Sequence, residues 1–252
     1  MIISYSKNFV VIRTPRTGST SLAFYFFKSG LIDPQKDVYK LEGSFASWQE
    51  FEQYFSTGGV EFANLPKELK SVESLAPSKR TFSDLVAKSA ISPDMPCVGS
   101  IRNPLERVAS AYAYICNDTT ARLGSKSNGV ITSPMWLDLQ EAITDINKFW
   151  DFIFEHLHGA KGVHKWYRYS DYFPEHAEVF NIENIHEHAS KFISDRGGVV
   201  SERIELRKNP DVFTPDQTET ILADLTADRR QQILDTFAKD FELWEKAYAV
   251  YN

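Results

Sequence analysis

The sequence predicts an α/β chain, with a central parallel sheet flanked by helices, in a single domain over residues 1–252. Three observations predict it. The apolar run Phe9-Val10-Val11-Ile12 leads through a short polar loop into Leu22-Ala23-Phe24-Tyr25-Phe26-Phe27-Lys28, which reads as strand, loop and helix. Met95-Pro96-Cys97-Val98-Gly99-Ser100-Ile101 reads as a second, buried strand, again running into a helix. Further along, strands alternate with helices, the pattern of a parallel sheet covered on both faces. In such sheets ligands bind at the carboxyl ends of the strands, where both junctions fall.

The elements follow in order. After the first junction, Ser47-Trp48-Gln49-Glu50 has the form of a capping box, with Trp48, Phe51, Tyr54 and Phe55 as the apolar face of its helix. Thr81-Phe82-Ser83-Asp84 opens a short helix. Past Ile101, Asn103 suits an N-cap and Pro104 a first helical residue. Leu105, Val108, Ala109, Tyr112 and Ile115 then recur at helical spacing. Asn117 to Pro134 is the most loop-like stretch, of the length typical of a lid or an unstructured segment. Leu137 to His158 reads as one longer helix with Ile143, Ile146, Phe149, Trp150 and Ile153 inside. Ile185 to Arg196 is a helix stopped by Gly197-Gly198, and everything from Thr214 onward reads as helical.

The first junction carries the chemistry. Its loop is Arg13-Thr14-Pro15-Arg16-Thr17-Gly18-Ser19-Thr20-Ser21. A tight turn at a helix N-terminus presents backbone N–H groups and the positive end of the helix dipole to an anion. Arg16 adds a fixed cation, and Thr17, Ser19, Thr20 and Ser21 add hydroxyls. The loop is P-loop-like in style without being an ATP loop. Arg13 stands where the Walker pattern has its first glycine, and Ser19 where it has its lysine. At the second junction Arg102 sits at a strand end and Ser110 about two turns into the next helix, a cation and a hydroxyl suited to a second anion.

Together these motifs resemble the sulfotransferase family, which uses 3′-phosphoadenosine 5′-phosphosulfate (PAPS) as donor. Pro15-Arg16-Thr17-Gly18-Ser19-Thr20-Ser21-Leu22 is similar to that family's 5′-phosphosulfate loop. Arg102-Asn103-Pro104-Leu105-Glu106-Arg107-Val108-Ala109-Ser110-Ala111-Tyr112 matches its 3′-phosphate motif at every fixed position, in wording closest to the carbohydrate sulfotransferase branch. Later stretches are similar too. Val179-Phe180-Asn181-Ile182-Glu183-Asn184-Ile185 looks like the late strand with its Glu-Asn pair, and Leu206-Arg207-Lys208-Asn209 takes the place of a basic loop near the nucleotide.

The resemblance implies a PAPS-dependent transfer of a sulfuryl group to a hydroxyl or amine, of a carbohydrate by the branch. Arg16 to Ser21 would meet the phosphosulfate, Arg102 and Ser110 the 3′-phosphate, and Arg207 and Lys208 would add to the basic cleft. No metal is required, because side-chain cations neutralise the leaving group. The general base is where the chain departs from the family. Relatives often carry a histidine ahead of the Thr or Ser that starts a helix, whereas here that place reads Pro77-Ser78-Lys79-Arg80-Thr81. Lys79 aligns with the missing histidine, and Glu42 and Glu50 are the carboxylates in the same part of the chain. Two other readings stay open: an altered nucleotide kinase or NTPase, and a relative that binds the nucleotide without catalysis.

Composition bounds the partners. The formal charge of -6 gives no general electrostatic case for nucleic acid, and a small-molecule or glycan acceptor is expected. No apolar run approaches membrane length and nothing at the start resembles a targeting signal, so a soluble, cytoplasmic enzyme is expected. Cys97 and Cys116 read as free thiols in a reducing compartment. His156, His158, His164, His186 and His188 read as surface or helix-end residues, because neither the spacing nor a nearby thiolate suits a metal.

Overall fold

The apolar run Phe9–Ile12 is a strand, but it is the second one. In the computed structural model it pairs with Ile2–Ser4 (β1) across the turn Tyr5–Asn8, in the register Ile2 with Val11 and Ser4 with Phe9. A turn of that length joins only antiparallel strands, so β1 and Phe9–Ile12 (β2) form a hairpin. The structure describes residues 2–14, 16–33, 37–39, 81–87, 89–124, 141–156, 168–200 and 215–249. The chain packs as two compact units, one from Met1–Ile101, Tyr169–Leu206 and Lys246–Asn252, the other from Arg102–Arg168 and Arg207–Glu245.

The first unit holds a five-stranded sheet. Its other elements are Ser19–Lys28 (α1), Val38–Tyr39 (β3), Phe82–Ala87 (α2), Cys97–Ile101 (β4), Tyr169–Tyr172 (α5 in chain order), Glu178–Asn181 (β5) and Ile185–Asp195 (α6). The strand order is β3-β1-β2-β4-β5. β4 runs parallel to both β2 and β5, while β1 is antiparallel to both β2 and β3. The sheet is therefore mixed and not wholly parallel. The expectation failed at β1 because its three residues are too short to register as a strand by pattern.

Every residue of β2 and of β4 is buried, the signature of parallel strands covered on both faces. On one face Phe9, Val11, Val98 and Phe180 meet Leu22 and Phe26 of α1 and Ala189, Phe192 and Ile193 of α6. The Phe9 ring meets Phe26 edge-on at 5.7 Å and Phe192 at 5.3 Å. Each such ring contributes roughly 1.5–3 kcal/mol by burial. The α6 stop is as expected: Gly197 has φ 71, and the N–H of Gly198 closes on the Ile193 carbonyl at 2.9 Å. The Thr81–Asp84 capping box also forms, with Thr81 N donating to Asp84 Oδ2 at 3.0 Å and Asp84 N to Thr81 Oγ1 at 3.1 Å.

Gly99 is where β4 has no room for a side chain. A Cβ there would lie 2.3 Å from the Phe173 ring and 2.8 Å from the Ile12 carbonyl oxygen. Because Ile12 is the last residue of β2, the added methyl would push apart the strands that launch both motifs. Gly99→Ala is expected to lower stability by about 1–3 kcal/mol, the range for overpacking. Urea unfolding checks it, and an unchanged midpoint would contradict this packing.

The second unit is helical among the described residues. It contains Pro104–Gly124 (α3), Ile146–His156 (α4), Pro215–Ala223 (α7), Ala227–Thr236 (α8) and Ala238–Ala249 (α9), the last of these up to Glu245. Val108, Phe149, Trp150, Ile153, Ile233 and Phe237 form its core, and the Trp150 indole donates to Gln232 Oε1 at 2.8 Å.

Two boundaries differ from expectation. Helix α3 runs on through Asn117–Gly124, the first part of the stretch expected to be loop. Helix α4 starts only at Ile146, because Asp145 Oδ1 accepts from Asn147 N at 2.6 Å and Lys148 N at 3.3 Å and so caps it. The C-terminal region is broken into separate helices at Asp224–Thr226, where Thr226 Oγ1 caps α8 by accepting from Arg229 N, and at Phe237. The Ser47–Phe55 helix lies outside the described residues.

Candidate functional site: the β2–α1 anion loop

The site is built from the end of β2 upward. The chain leaves β2 at Ile12 and enters α1 at Ser19, with residues 13, 14 and 16–18 described between them. Two residues of the turn adopt left-handed backbone: Arg16 at φ 65 and Gly18 at φ 68. Glycine does this freely, but for arginine it costs about 1–2 kcal/mol. Strain of this kind, held by its surroundings, concentrates at ligand clamps and active sites. Alternating left- and right-handed residues is the backbone pattern of an anion nest, and Arg16 and Gly18 supply two left-handed positions two residues apart. Gly18 is the N-cap of α1 and no side chain caps this helix; its first turn holds no acidic residue. Among the described residues, the first turn thus supplies no acid to the positive end of the dipole.

The hydroxyls of Thr14, Thr17 and Ser19 bond within the loop and to β4. Thr14 Oγ1 donates to the Ser100 carbonyl at 2.7 Å, and Thr17 Oγ1 donates to the Thr14 carbonyl at 3.0 Å. Thr17 Oγ1 also lies 3.0 Å from Ser100 Oγ and 2.8 Å from Thr14 Oγ1. Ser19 Oγ donates to the same Thr14 carbonyl at 3.0 Å. Thr14, Thr17 and Ser100 are buried, as are Ser19 and Ser21. In this arrangement the protons of Thr17 and Ser19 serve the loop itself. Thr20 contributes its backbone to α1. Thr14 and Ser100 were not singled out from sequence; a hydroxyl residue at the end of each of two strands was the only signal.

In the second unit, Asn103 and Pro104 act as expected. Asn103 Oδ1 accepts from Leu105 N at 3.0 Å and Pro104 opens α3. Arg102, next after β4, donates from Nε to Glu106 Oε2 at 3.0 Å, a partly exposed i,i+4 pair worth well under 1 kcal/mol. Ser110 is buried on α3. Arg107, a fixed position of the second motif, is 1% exposed, and its Nη1 lies 3.9 Å from Oδ2 of the fully buried Asp240. Its guanidinium carbon sits 5.9 Å from the Phe237 ring centre. Arg107 therefore anchors α3 to α9. Burial pushes the Tyr112 phenol up to about 12, and its hydroxyl donates to the Ile143 carbonyl at 3.1 Å, so it stays protonated at neutral pH.

Lys79, Glu42, Glu50, Arg207 and Lys208 lie outside the described residues. Among the described residues no group of His, Cys, Asp and Glu is arranged to hold a metal. Cys97 and Cys116 are free thiols, and burial pushes both upward from the usual thiol range, keeping them protonated. The histidine expectation needs correction at His188. It is 3% exposed, stacks edge-on against Phe180 and is held neutral by burial, because position 188 falls on the inner face of α6 beside Ile185, Ala189 and Phe192. His186 is partly buried, its Nδ1 hydrogen-bonded to the Tyr25 hydroxyl. His158 and His164 lie outside the described residues. No helix among the described residues is long and apolar enough to cross a membrane. Searches against family models, curated proteins and solved structures find no match for this chain, so its functional reading rests on the residues themselves.

Proposed function

We propose that this chain is a sulfotransferase that moves a sulfuryl group from PAPS to a hydroxyl or amine acceptor, a carbohydrate by its motif wording. The observation that carries the reading is the β2–α1 loop. It sets a left-handed Arg16 and Gly18 before a helix N-terminus that has neither a capping side chain nor an acid in its first turn. That donor set suits a dianionic or larger phosphate-like group and fits the 5′-phosphosulfate of PAPS. The loop is P-loop-like in this sense, but it lacks the lysine of an ATP loop.

The roles follow from charge. Arg16 and the loop N–H groups meet the phosphate oxygen that gains negative charge as the sulfur–oxygen bond breaks. Arg102 and Ser110, assigned by their motif, take the 3′-phosphate and so separate this donor from ATP. Arg207 and Lys208 add positive charge for the nucleotide. The acceptor proton goes to a base, for which Lys79 is the first candidate and Glu42 and Glu50 the others. The chemistry needs no metal, and the reading places the enzyme in the cytoplasm.

The test is transfer of labelled sulfate from PAPS to a panel of glycans and small alcohols, in the presence of a strong chelator. Transfer is expected to persist under chelation. Arg16→Ala is expected to lower turnover about 100-fold or more, the scale for losing one preorganised donor to developing charge. Lys79→Ala is expected to abolish transfer while leaving donor binding intact. Activity that vanishes with the chelator and returns with magnesium would favour an NTPase. Full activity in Lys79→Ala would pass the role of base to Glu42 or Glu50.

A further inference from the structure

We propose that Ser100, which lies outside the anion loop and outside every residue assigned above to ligand or chemistry, is a positioning residue for that loop and acts through Thr17; this rests on the anion-loop reading. Ser100 is fully buried in β4, one strand over from the loop. It holds the loop at two points. Its carbonyl accepts the Thr14 hydroxyl at 2.7 Å, and its hydroxyl lies 3.0 Å from Thr17 Oγ1. Thr17 is the residue between the two left-handed positions, Arg16 and Gly18.

A hydrogen bond at that point does more than fill space. Thr17 Oγ1 is also tied to the Thr14 carbonyl, so the side chain of Thr17 staples the inner wall of the turn to both its own start and the neighbouring strand. With the hydroxyl held at both contacts, the turn is kept in the backbone conformation it shows at Arg16 and Gly18. The strained backbone at Arg16 persists only while such contacts over-determine it. Loss of the staple releases the loop toward right-handed backbone, and the N–H groups must be reordered at each binding event. The cost then appears in anion affinity, a quantity that a purely structural bond in β4 would leave alone.

The experiment uses the full chain and two probes, inorganic pyrophosphate and adenosine 3′,5′-bisphosphate, titrated at a temperature where every variant is folded. Thr17→Val keeps the shape and removes the hydroxyl, while Thr17→Ser keeps the hydroxyl. Thr17→Val and Ser100→Ala are each expected to weaken both probes about tenfold, and Thr17→Ser to restore wild-type affinity within about twofold. The double variant Thr17→Val, Ser100→Ala is expected to be no weaker than Thr17→Val alone, because Ser100→Ala removes a side-chain contact that Thr17→Val has already removed. Melting temperatures that fall while both dissociation constants stay at wild type would overturn the positioning role and leave the anion loop standing. A wild-type protein that binds neither probe would overturn both.

Discussion

Replacing Asp240 by Asn is expected to cost about 3–5 kcal/mol of stability, a large part of the 5–15 kcal/mol that a domain typically has. Asp240 is fully buried and its Oδ2 lies 3.9 Å from Nη1 of Arg107, itself 1% exposed. Neutralising the carboxyl takes away one charge of a buried pair, and breaking such a pair from one side is far more costly than losing a surface pair. The double variant Arg107→Met, Asp240→Leu removes both charges and is expected to recover most of the loss, since a buried pair replaced by apolar side chains of similar volume is often neutral or better. Urea unfolding followed by circular dichroism checks both. A loss below about 1 kcal/mol in Asp240→Asn would show that the pair does not carry the α3–α9 packing. The fixed arginine of the second motif thus packs within the fold, beside Asp240 and the Phe237 ring.

Asp37→Ala is expected to be the other severe substitution, at about 3–4 kcal/mol. The Asp37 carboxylate is fully buried and accepts from Ser4 Oγ at 3.0 Å, Ser6 N at 3.0 Å, Ser6 Oγ at 2.9 Å and Asp33 N at 2.7 Å. Hydrogen bonds to a charged group contribute about 1.5–3 kcal/mol each when taken singly, and these overlap too much to add. The truncation also strands backbone and hydroxyl donors at the β1–β2 turn, whose correct path sets β2 and hence the loop that follows it. Asp37→Asn keeps the shape and part of the acceptor capacity and is expected to lose less. Equal stability of Asp37→Ala and wild type in urea would contradict the role.

What was legible in the sequence was local. The β2–loop–α1 and β4–α3 junctions could be read because an apolar run, a turn and a cap lie side by side in the chain. Asn103, the Thr81–Asp84 box and Gly197 all do in the structure what their chemistry suggests. What was not legible depends on residues distant in sequence. β1 and β3 are three and two residues long and exist through pairing, so the sheet's antiparallel part left no periodic trace. Arg107 reads as a motif cation until Asp240 is beside it, and Thr17 reads as an anion donor until Ser100 is found within 3.0 Å. His188 looked like one of a surface pair because its burial is decided by how α6 lies on Phe180. A side chain divides a stretch that apolar spacing reads as one helix: Glu141 and Ala142 are helical, the chain turns at 143–145, and Asp145 caps α4 at Ile146.

Under the proposed function, the anion loop serves a 3′-phosphorylated adenine nucleotide. The most direct measurement is calorimetric titration with adenosine 3′,5′-bisphosphate and, separately, with ATP and magnesium, backed by melting temperatures at saturating ligand. Clear preference for the bisphosphate is expected, with stabilisation of about 2.7 kcal/mol at a hundredfold its dissociation constant. Arg102→Ala is expected to erase the preference over adenosine 5′-monophosphate, and Arg16→Ala to weaken both nucleotides. Binding of ATP with magnesium as tight as that of the bisphosphate, or an Arg102→Ala protein with the wild-type ratio, would contradict it.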